Sequence, residues 1–328
     1  MSESLAELGE SELLRRLARF APATQFSDDT AALPSDPRPL LVNTDVLVEH
    51  VHFSDATTSA TDVGWRAVAA NLSDLAASGA VSIDGITVAL MAPGSTPWSW
   101  VEGVYSGLSA ALERYGGVLL GGDCSAAQQR SLSITALGRL GDLRLHRGDA
   151  RPGDVLVTSG VHGLSRLGLA VLQNDSSLAG LTIPDDLRAA AITQHQRPIP
   201  RLDALTTLLT SKPNQTPWRA GGTDSSDGLL AAVEGLCASS HCGAVLDQSL
   251  LPRPAGWPMG WPWDQWCLQG GEDFELVLSL PAHWADCWLS HQAGSRRLGM
   301  ITAEANVIRW SDGSPVIKAT SFNHYDQP

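Results

Sequence analysis

The sequence predicts a two-domain protein of the α/β or α+β class, and three observations support this prediction. The chain has 328 residues, a length that favours two domains over one. Strand-like and helix-like patterns are interleaved in both halves of the chain. Between the halves, the segment Arg147 to Asp154 combines charges, glycine and proline in the manner of a hinge. We therefore predict an N-terminal domain over residues 1–150 and a C-terminal domain over residues 151–328.

Composition and charge exclude several classes of protein. Hydrophobic residues make up 43% of the chain, which is enough for a substantial core. The net charge of −13 argues against a nucleic-acid surface, which needs a basic stripe, but it permits phosphate ligands where cations mediate. No apolar run approaches the roughly 20 residues of a membrane helix. We therefore expect neither nucleic acid nor membrane as a partner.

The N-terminus and the cysteines indicate a cytoplasmic protein. The segment Met1 to Ala21 predicts one amphipathic helix, with its acidic residues before its basic ones, and it does not have the pattern of a signal peptide. The five cysteines form no CxxC pair. A metal site at Cys237, His241 and Cys242 is an alternative, but scattered thiols in a reducing compartment are the favoured interpretation.

The first domain is organised around the strand predicted over Leu40 to Phe53. Asn43, Thr44 and Asp45 lie in its middle, although Asn and Asp are poor strand formers and a buried carboxylate is costly without a partner. Such a local conflict is typical of a functional site. The alternative is a turn that joins two short strands.

The other elements of the first domain follow in order. A helix capped by Thr61 or Asp62 runs to about Ser78, and Asn71 and Asp74, three residues apart, share a face beside its apolar stripe among small residues. These two residues could equally belong to an ordinary solvated helix face. The remaining predictions are a strand over Ile83 to Leu90, a helix over Trp98 to Tyr115, a strand over Val118 to Leu120 that ends in Gly121-Gly122-Asp123, and a strand over Ser131 to Leu140.

The second domain repeats this alternation of strands and helices. The predicted elements are a strand over 155–159, a turn over 160–165 with a helix to about Gln173, helices around 195–198 and 201–210, a helix from near Leu229, a strand over 276–280, and short strands over 307–325. The turn Thr223 to Gly228 before the helix suits a metal-phosphate group, although plain capping of the helix is the alternative. The segment Pro252 to Trp266 predicts a loop over core or ligand. Gly270 to Leu276 repeats the Gly-Gly-acid pattern before a strand.

Standard nucleotide and hydrolase signatures are missing from the sequence. It has no P-loop, no protein-kinase motif set, no GxGxxG after a strand, no GxSxG and no HExxH. What remains is a set of six aspartates near strand ends or helix starts, namely Asp29, Asp45, Asp74, Asp123, Asp224 and Asp227. If they converge, their repulsion must be neutralised, and an oxygen-only set favours Mg²⁺ over Zn²⁺. The residues thus indicate a metal-dependent enzyme that handles phosphate groups.

Several motifs in combination resemble those of the thiamine-monophosphate kinase family. They are Asp28-Asp29-Thr30-Ala31, Thr44-Asp45-Val46-Leu47-Val48-Glu49 with His52-Phe53, Asn71-Leu72-Ser73-Asp74-Leu75-Ala76-Ala77, Gly121-Gly122-Asp123, Ser226-Asp227-Gly228-Leu229 and Gly271-Glu272-Asp273-Phe274-Glu275. The resemblance implies the two-domain fold of the aminoimidazole ribonucleotide synthetase-like superfamily and a homodimer joined through the N-terminal domains. It also implies Mg²⁺-dependent transfer of the γ-phosphate of ATP to thiamine monophosphate.

The same resemblance implies roles for individual residues. Mg²⁺ would be bound by Asp29, Thr44, Asp45, Asp74, Asp123, Asp224 and Asp227, of which Asp45, Asp74, Asp123 and Asp227 are the expected catalytic carboxylates. ATP would be contacted by Tyr105, Gly122, Asp123, Arg147 and Ser226. Thiamine monophosphate would be contacted by His52, Glu272 and Phe322. The sequence departs from the family pattern at Ser27, Asn43, Cys124 and Leu164, and Asn43 replaces a hydroxyl residue that can help to hold a metal.

Two alternatives remain open at this point. One is another ATP-dependent enzyme of the same superfamily with a different acceptor. The other is a non-catalytic nucleotide-binding relative, but all six aspartates are present, which favours an enzyme.

Overall fold

The computed structural model describes residues 3–317, and these divide into two compact units. The first unit runs to Asp142 and also includes Gln196–Leu202, and the second contains Leu143–His195 and the residues from Asp203 onwards. The first unit thus ends before residue 150, where the sequence predicts the boundary. The hinge-like segment belongs to the second unit, where the backbone of His146 pairs with Gly221 and Arg147 Nε donates to Thr223 Oγ1 over 2.9 Å.

The first unit is a four-stranded sheet with two long helices packed on one face. Its elements are α1 (Leu5–Leu8), α2 (Glu10–Leu17), β1 (Leu40–Val48), α3 (Ala60–Ala77), β2 (Ala80–Ala92), α4 (Trp98–Tyr115), β3 (Val118–Ala126) and β4 (Ser131–Leu140). The strand order is β1-β4-β2-β3, and only the β2–β3 pair is parallel. The buried core lies between the sheet and the helices α3 and α4, where residues such as Val68, Ile86 and Val104 are fully buried.

Three local predictions for this unit need correction. The N-terminal segment is two helices and a 3-10 turn over Ala18–Phe20, because Gly9 has φ +73° and ψ 160°, which is not a helical conformation. The strand β1 passes straight through Asn43-Thr44-Asp45, which excludes the turn, but it ends at Val48 rather than Phe53. The Gly121-Gly122-Asp123 motif lies within β3, since pairing with β2 resumes after a bulge.

The second unit contains a six-stranded sheet with order β10-β7-β9-β5-β8-β6. Its elements are β5 (Val155–Thr158), α5 (Leu164–Leu172), α6 (Asp185–Gln196), α7 (Leu202–Thr210), β6 (Gly221–Asp224), α8 (Leu229–Ser240), β7 (Gly243–Leu246), α9 (Trp261–Gln269), β8 (Leu276–Leu280), α10 (Ala282–His291), β9 (Arg296–Thr302) and β10 (Ile308–Trp310). All pairs are antiparallel except β10–β7.

The loop predicted over Pro252 to Trp266 is only partly a loop. Its last residues form the first turns of α9, where a proline lies in the first turn and the preceding Gly260 lies outside the helix. Trp257 and Trp263 are buried in an apolar cluster, and Trp257 Nε1 donates to the carbonyl oxygen of Trp263. These two aromatic side chains therefore belong to the core of the second unit.

Across residues 3–317, no helix is both long enough and apolar enough to cross a lipid bilayer.

Candidate active site

A polar cluster lies between β1 and α3 in the first unit. Side chains alternate along β1, so Asn43 and Asp45 lie on the same face as the buried Leu41 and Leu47. Asn43 Nδ2 donates to Asp74 Oδ2 over 3.0 Å and to Asn71 Oδ1 over 3.2 Å. Because both neighbours of Nδ2 are acceptors, these contacts define which way the Asn43 amide points. The structure thus joins Asn43 to Asp74 and places Asp45 on the same face of β1.

The cluster contains a buried oxygen without a partner. Asn43 Oδ1 is buried and has no hydrogen-bond partner in the structure, whereas Asn71 Nδ2 donates to the carbonyl oxygen of Ala67. A buried acceptor without a donor is costly unless a ligand, a cation or water satisfies it. The oxygen of Asn43 and the carboxylates of Asp45 and Asp74 are hard donors of the kind that Mg²⁺ prefers.

No complete metal cage exists in the part of the chain that the structure describes. Within residues 3–317, no group of three or more His, Cys, Asp or Glu side chains could hold a metal ion. Mg²⁺ is usually bound in proteins by one or two carboxylates together with substrate phosphates and waters. The oxygen donors of the β1–α3 cluster are of the type that such a site uses.

Thr44 and Asp123 lie on the opposite face of the same sheet. Thr44 is exposed, and its hydroxyl is 2.8 Å from that of Thr135. Asp123 pairs with Ala89 in the register of β2 and β3, while the next residue, Cys124, packs against the core. The Asp123 carboxylate is exposed and accepts a hydrogen bond from the Cys124 amide. Within the first unit, the predicted aspartates are therefore divided between the two faces of one sheet.

The remaining predicted residues of the first unit have varied surroundings. Asp29 is exposed and follows the 3-10 turn Gln25–Ser27. Gly122 makes a close backbone approach, since a Cβ there would lie 1.9 Å from the carbonyl oxygen of Val88. Tyr105 is 3% exposed, with its ring 5.7 Å from that of Phe20, and burial raises the pKa of its hydroxyl. His52 Nδ1 accepts from the Val48 amide, which leaves the proton of the neutral ring on Nε2.

The second unit brings four of its predicted residues to one end of β6. Asp224 is the last residue of β6 and is buried, and Ser226 Oγ donates to its Oδ1 over 3.2 Å. Arg147 is anchored to the same strand through Thr223. Asp227 is exposed just before α8. Asp224, Ser226 and Asp227 thus lie close together along the chain just before α8, and Arg147 reaches the same strand from a distant part of the chain. Acidic side chains and a hydroxyl at a helix N-terminus suit a metal-bound phosphate group.

Glu272 extends from a strained loop in the second unit. Glu272 and Phe274 have positive φ values of +65° and +53°, which is uncommon for residues other than glycine. Glu272 Oε2 lies 3.8 Å from His195 Nδ1, and its side chain is 34% exposed. Phe322, the other residue predicted for this substrate in the C-terminal part, lies outside the described residues.

The sequence interpretation assigned no role to Asp273, which is the buried acid of this loop. Its carboxylate is 1% exposed and accepts from the amides of Gly163 and Ser165 over 2.5 and 2.9 Å. Burial raises its pKa to about 7, and the nearby Glu275 and Glu272 add to the rise, whereas the two amide hydrogen bonds oppose it. Two neighbouring carboxylates in the motif were a signal of an unusual acid, but its burial could not be read locally.

His162 is buried beside Asp273. Its Nε2 lies 2.8 Å from Thr158 Oγ1, and its Nδ1 is 4.0 Å from Asp273 Oδ2 and has no hydrogen-bond partner. Burial lowers the pKa of His162 to about 3, so the ring is neutral at physiological pH. A neutral His162 does not compensate the charge of Asp273.

The first unit matches a known class of domains, that of the AIR synthase related proteins. Residues 27–140 match the family model described as AIR synthase related protein, N-terminal domain. A solved structure of thiamine-monophosphate kinase from Stenotrophomonas maltophilia K279a covers 92% of this chain and 95% of its own, with 30% identity and a TM-score of 0.76. AaThiL, solved in complex with AMPPCP and TMP, covers 98% of each chain at 26% identity and a TM-score of 0.75.

The relatives identify the family within this class. The thiamine-monophosphate kinase of Prochlorococcus marinus is 53% identical over 325 residues, which cover 98% of each chain. That of Synechococcus elongatus is 44% identical over 327 residues, again 98% of each chain. This chain belongs to the thiamine-monophosphate kinase family.

Proposed function

We propose that this protein transfers the γ-phosphate of ATP to thiamine monophosphate, giving thiamine diphosphate and ADP. The observation that carries the proposal is the similarity over 98% of both chains to AaThiL, which was solved with AMPPCP and TMP. The polar cluster of Asn43, Asp45 and Asp74 supports it, because a phosphate-handling site needs hard oxygen donors for the cations that accompany its substrates.

Mg²⁺ is the metal that these donors fit. Asp45, Asp74 and the Asn43 amide oxygen are the donors for Mg²⁺ in the first unit. Asp224 and Asp227 are the donors in the second unit. When bound, Mg²⁺ neutralises the negative charge of the phosphate oxygens and orients them. Asn43 Nδ2 orients the Asp74 carboxylate by donating to its Oδ2 over 3.0 Å.

We propose direct in-line transfer between the two substrates. The acceptor phosphate has a second pKa of about 6, so it is largely dianionic at neutral pH and needs no general base. The protein supplies positioning and charge stabilisation, for which Arg147 and Ser226 are suitable donors at the end of β6. Incubation with labelled ADP and ATP in the absence of thiamine monophosphate tests this step. Exchange of label between the nucleotides, or a trapped phosphoenzyme, would contradict direct transfer.

We also propose a homodimer formed through the first unit. The sheet face opposite α3 and α4 carries exposed apolar side chains, with Leu40 43%, Val42 58% and Val46 46% exposed along β1. A second copy of the same face would cover these side chains in a two-fold arrangement. Light scattering of the wild type and of Val42→Lys tests this, since a wild-type monomer at micromolar concentration would contradict it.

A cytoplasmic location is part of the same proposal. All five cysteines are free in the structure, and Cys237, Cys242 and Cys267 are buried. Free thiols are typical of proteins that work in a reducing compartment.

The decisive experiment is an assay with ATP, Mg²⁺ and thiamine monophosphate that follows thiamine diphosphate by chromatography. We expect turnover by the wild type, its loss in excess EDTA, and strong impairment of Asp45→Asn and Asp74→Asn. Asp286→Asn is the matched control, because Asp286 pairs with Arg297 on an exposed surface of the second unit. Absence of product with a folded wild type, or full turnover in excess EDTA, would overturn the proposal.

A further inference from the structure

The Glu272 loop, defined here as Gly271–Glu275, adopts a backbone that needs external support. Its residues Glu272 and Phe274 are both in the left-handed region, and Asp273 lies between them. Such conformations persist only where the surrounding structure determines them several times over, and they are frequent at functional sites. The contacts that hold these two residues in place are therefore a guide to the function of the loop.

The strongest support is the buried carboxylate of Asp273. It accepts the amide hydrogens of Gly163 and Ser165 at the N-terminus of α5, a helix of nine residues. A carboxylate is favourable there because the first amides of a helix have no partner within the helix and carry a partial positive charge. The backbone oxygen of Asp273 accepts in turn from Gln194 Nε2 on α6 over 2.8 Å. One residue thus attaches the loop to two helices.

The two sides of the loop are attached to the segment that follows β6. The amide of Glu272 donates to the carbonyl oxygen of Ser226 over 2.7 Å, and the amide of Glu275 donates to Ser225 Oγ over 3.0 Å. With Asp273 held between these two bonds, the backbone on both sides is fixed. The Glu272 side chain is directed to the partly exposed position beside His195, 3.8 Å from its Nδ1.

We propose that Asp273 is a positioning residue, which fixes the left-handed turn of the loop so that the Glu272 carboxylate is held ready for the thiamine monophosphate substrate. The inference rests on the proposed function and adds a residue to it. A simple capping role explains less, because a residue next to the helix in sequence could cap α5 equally well. Here the cap comes from more than 100 residues away, and it is part of the strained turn itself.

The test compares Asp273→Asn with a matched control. The carboxamide has nearly the same shape, but its NH₂ group faces an amide N–H, so one of the two helix bonds is lost. We expect the KM for thiamine monophosphate to rise about tenfold or more, with the KM for ATP changed less than about threefold. Asp264→Asn is the control, because Asp264 is also buried but pairs with Arg253. Its KM values should be unchanged.

A double-mutant cycle separates positioning from general stability. If Asp273 acts through Glu272, then Asp273→Asn should add almost nothing to the KM of a Glu272→Ala variant. Additive effects in the cycle would overturn the proposal. An unchanged KM for thiamine monophosphate in a variant with reduced thermal stability would also overturn it, since that result would leave Asp273 with a capping role only.

A measurement without substrate keeps the inference independent of the proposed function. Hydrogen exchange on the wild type should show the amides of Gly163, Ser165 and Glu272 protected to a similar degree, with all three losing protection together in Asp273→Asn. Rapid exchange of Gly163 in the wild type would overturn the inference even if no variant folds. If the wild type fails to phosphorylate thiamine monophosphate while these amides behave as expected, the proposed function fails and the support of the loop by Asp273 stands.

Discussion

Replacing Gly64 by alanine should separate α3 from α4 and disturb the helix that carries Asp74. A Cβ at Gly64 would lie 1.9 Å from the carbonyl oxygen of Val104 and 2.8 Å from the amide nitrogen of Leu108. Both atoms belong to the backbone of α4, so no side chain can rotate away. Gly107 on α4 lies equally close to the backbone of α3, since a Cβ added there would be 1.9 Å from the carbonyl oxygen of Thr61. The two helices therefore cross with their backbones in contact at two glycines.

The size of the effect follows from these distances. Contacts shorter than 3.0 Å are essentially never made by a real Cβ, so at Gly64 the helices must separate by at least the difference between 3.0 and 1.9 Å, about 1.1 Å. Overpacking of a core costs about 1–3 kcal/mol, and a backbone obstacle places this substitution at the upper end. Alanine recovers about 1 kcal/mol of helix propensity relative to glycine. The net loss in the free energy of unfolding should be about 2 kcal/mol, or a Tm lower by about 4–8 °C.

The functional consequence should exceed the loss of stability. The Asn43–Asp74 hydrogen bond is 3.0 Å long and joins β1 to α3, so a shift of about 1 Å in α3 is enough to break it. We expect the apparent Mg²⁺ requirement of the kinase assay to increase at a temperature where the variant is still folded. A displaced carboxylate that has lost its orienting donor accounts for this result.

The control is Gly235→Ala in the interior of α8. There the nearest atoms to the new Cβ are Arg147 Cδ and Nε at 3.8 and 3.9 Å, which is ordinary contact with a flexible side chain. This variant should be stabilised by up to about 1 kcal/mol in urea or thermal unfolding. If Gly64→Ala and Gly235→Ala change the stability in the same direction, the packing argument for α3 and α4 is wrong.

Three further predictions concern Asn43, the buried Asp273 beside His162, and the start of α3. Asn43→Asp places a second negative charge 3.0 Å from Asp74, so without metal the variant should melt at a lower temperature than the wild type. Added Mn²⁺ should raise the melting temperature of the variant more than that of the wild type, and an equal rise in both proteins would contradict this prediction. Between about pH 4 and 6.5, the raised pKa of Asp273 makes the folded state bind more protons than the unfolded chain, so this residue contributes a falling slope of the free energy of unfolding against pH. The lowered pKa of His162 makes the folded state bind fewer protons, so this residue contributes a rising slope. Asp273→Asn removes the first slope, and its free energy of unfolding should therefore rise more steeply over this range than that of the wild type; parallel curves in urea titrations would show that Asp273 has no such shift. Ser59→Ala removes the side chain that caps α3 and should cost about 1 kcal/mol in the same titrations, whereas a change below about 0.3 kcal/mol would mean that the cap contributes little.

The predictions that succeeded from sequence rest on local periodicity. The helix over Trp98–Tyr115 and the strand over Ser131–Leu140 have the predicted bounds, because one apolar face repeats at helical or strand spacing along each of them. The placement of Asp45 in a strand was also confirmed, since the apolar residues on both sides of it alternate. The motifs further identified the family that the relatives show.

Local patterns failed where backbone conformation or irregular composition decided the structure. The N-terminal charges predicted one helix, but a non-helical Gly9 divides it in two. The tryptophans of the segment 252–266 suggested an irregular loop, yet α9 begins at Trp261, and Trp257 and Trp263 pack into the core. Packing against distant residues gave these aromatic residues their place, and that packing has no periodic signature in the segment itself.

The sequence by itself determined which residues alternate along each strand and which acids sit in motifs, because these properties depend on neighbours in the chain. Only the tertiary structure decided that Asp45 and Asp123 lie on opposite faces of one sheet, since that depends on the register between strands and on the bulge opposite Gly121. The structure likewise decided that Asp273 is buried against a helix that begins more than 100 residues earlier. Pairing register and long-range burial are set by contacts between segments far apart in the chain, and no local pattern encodes them.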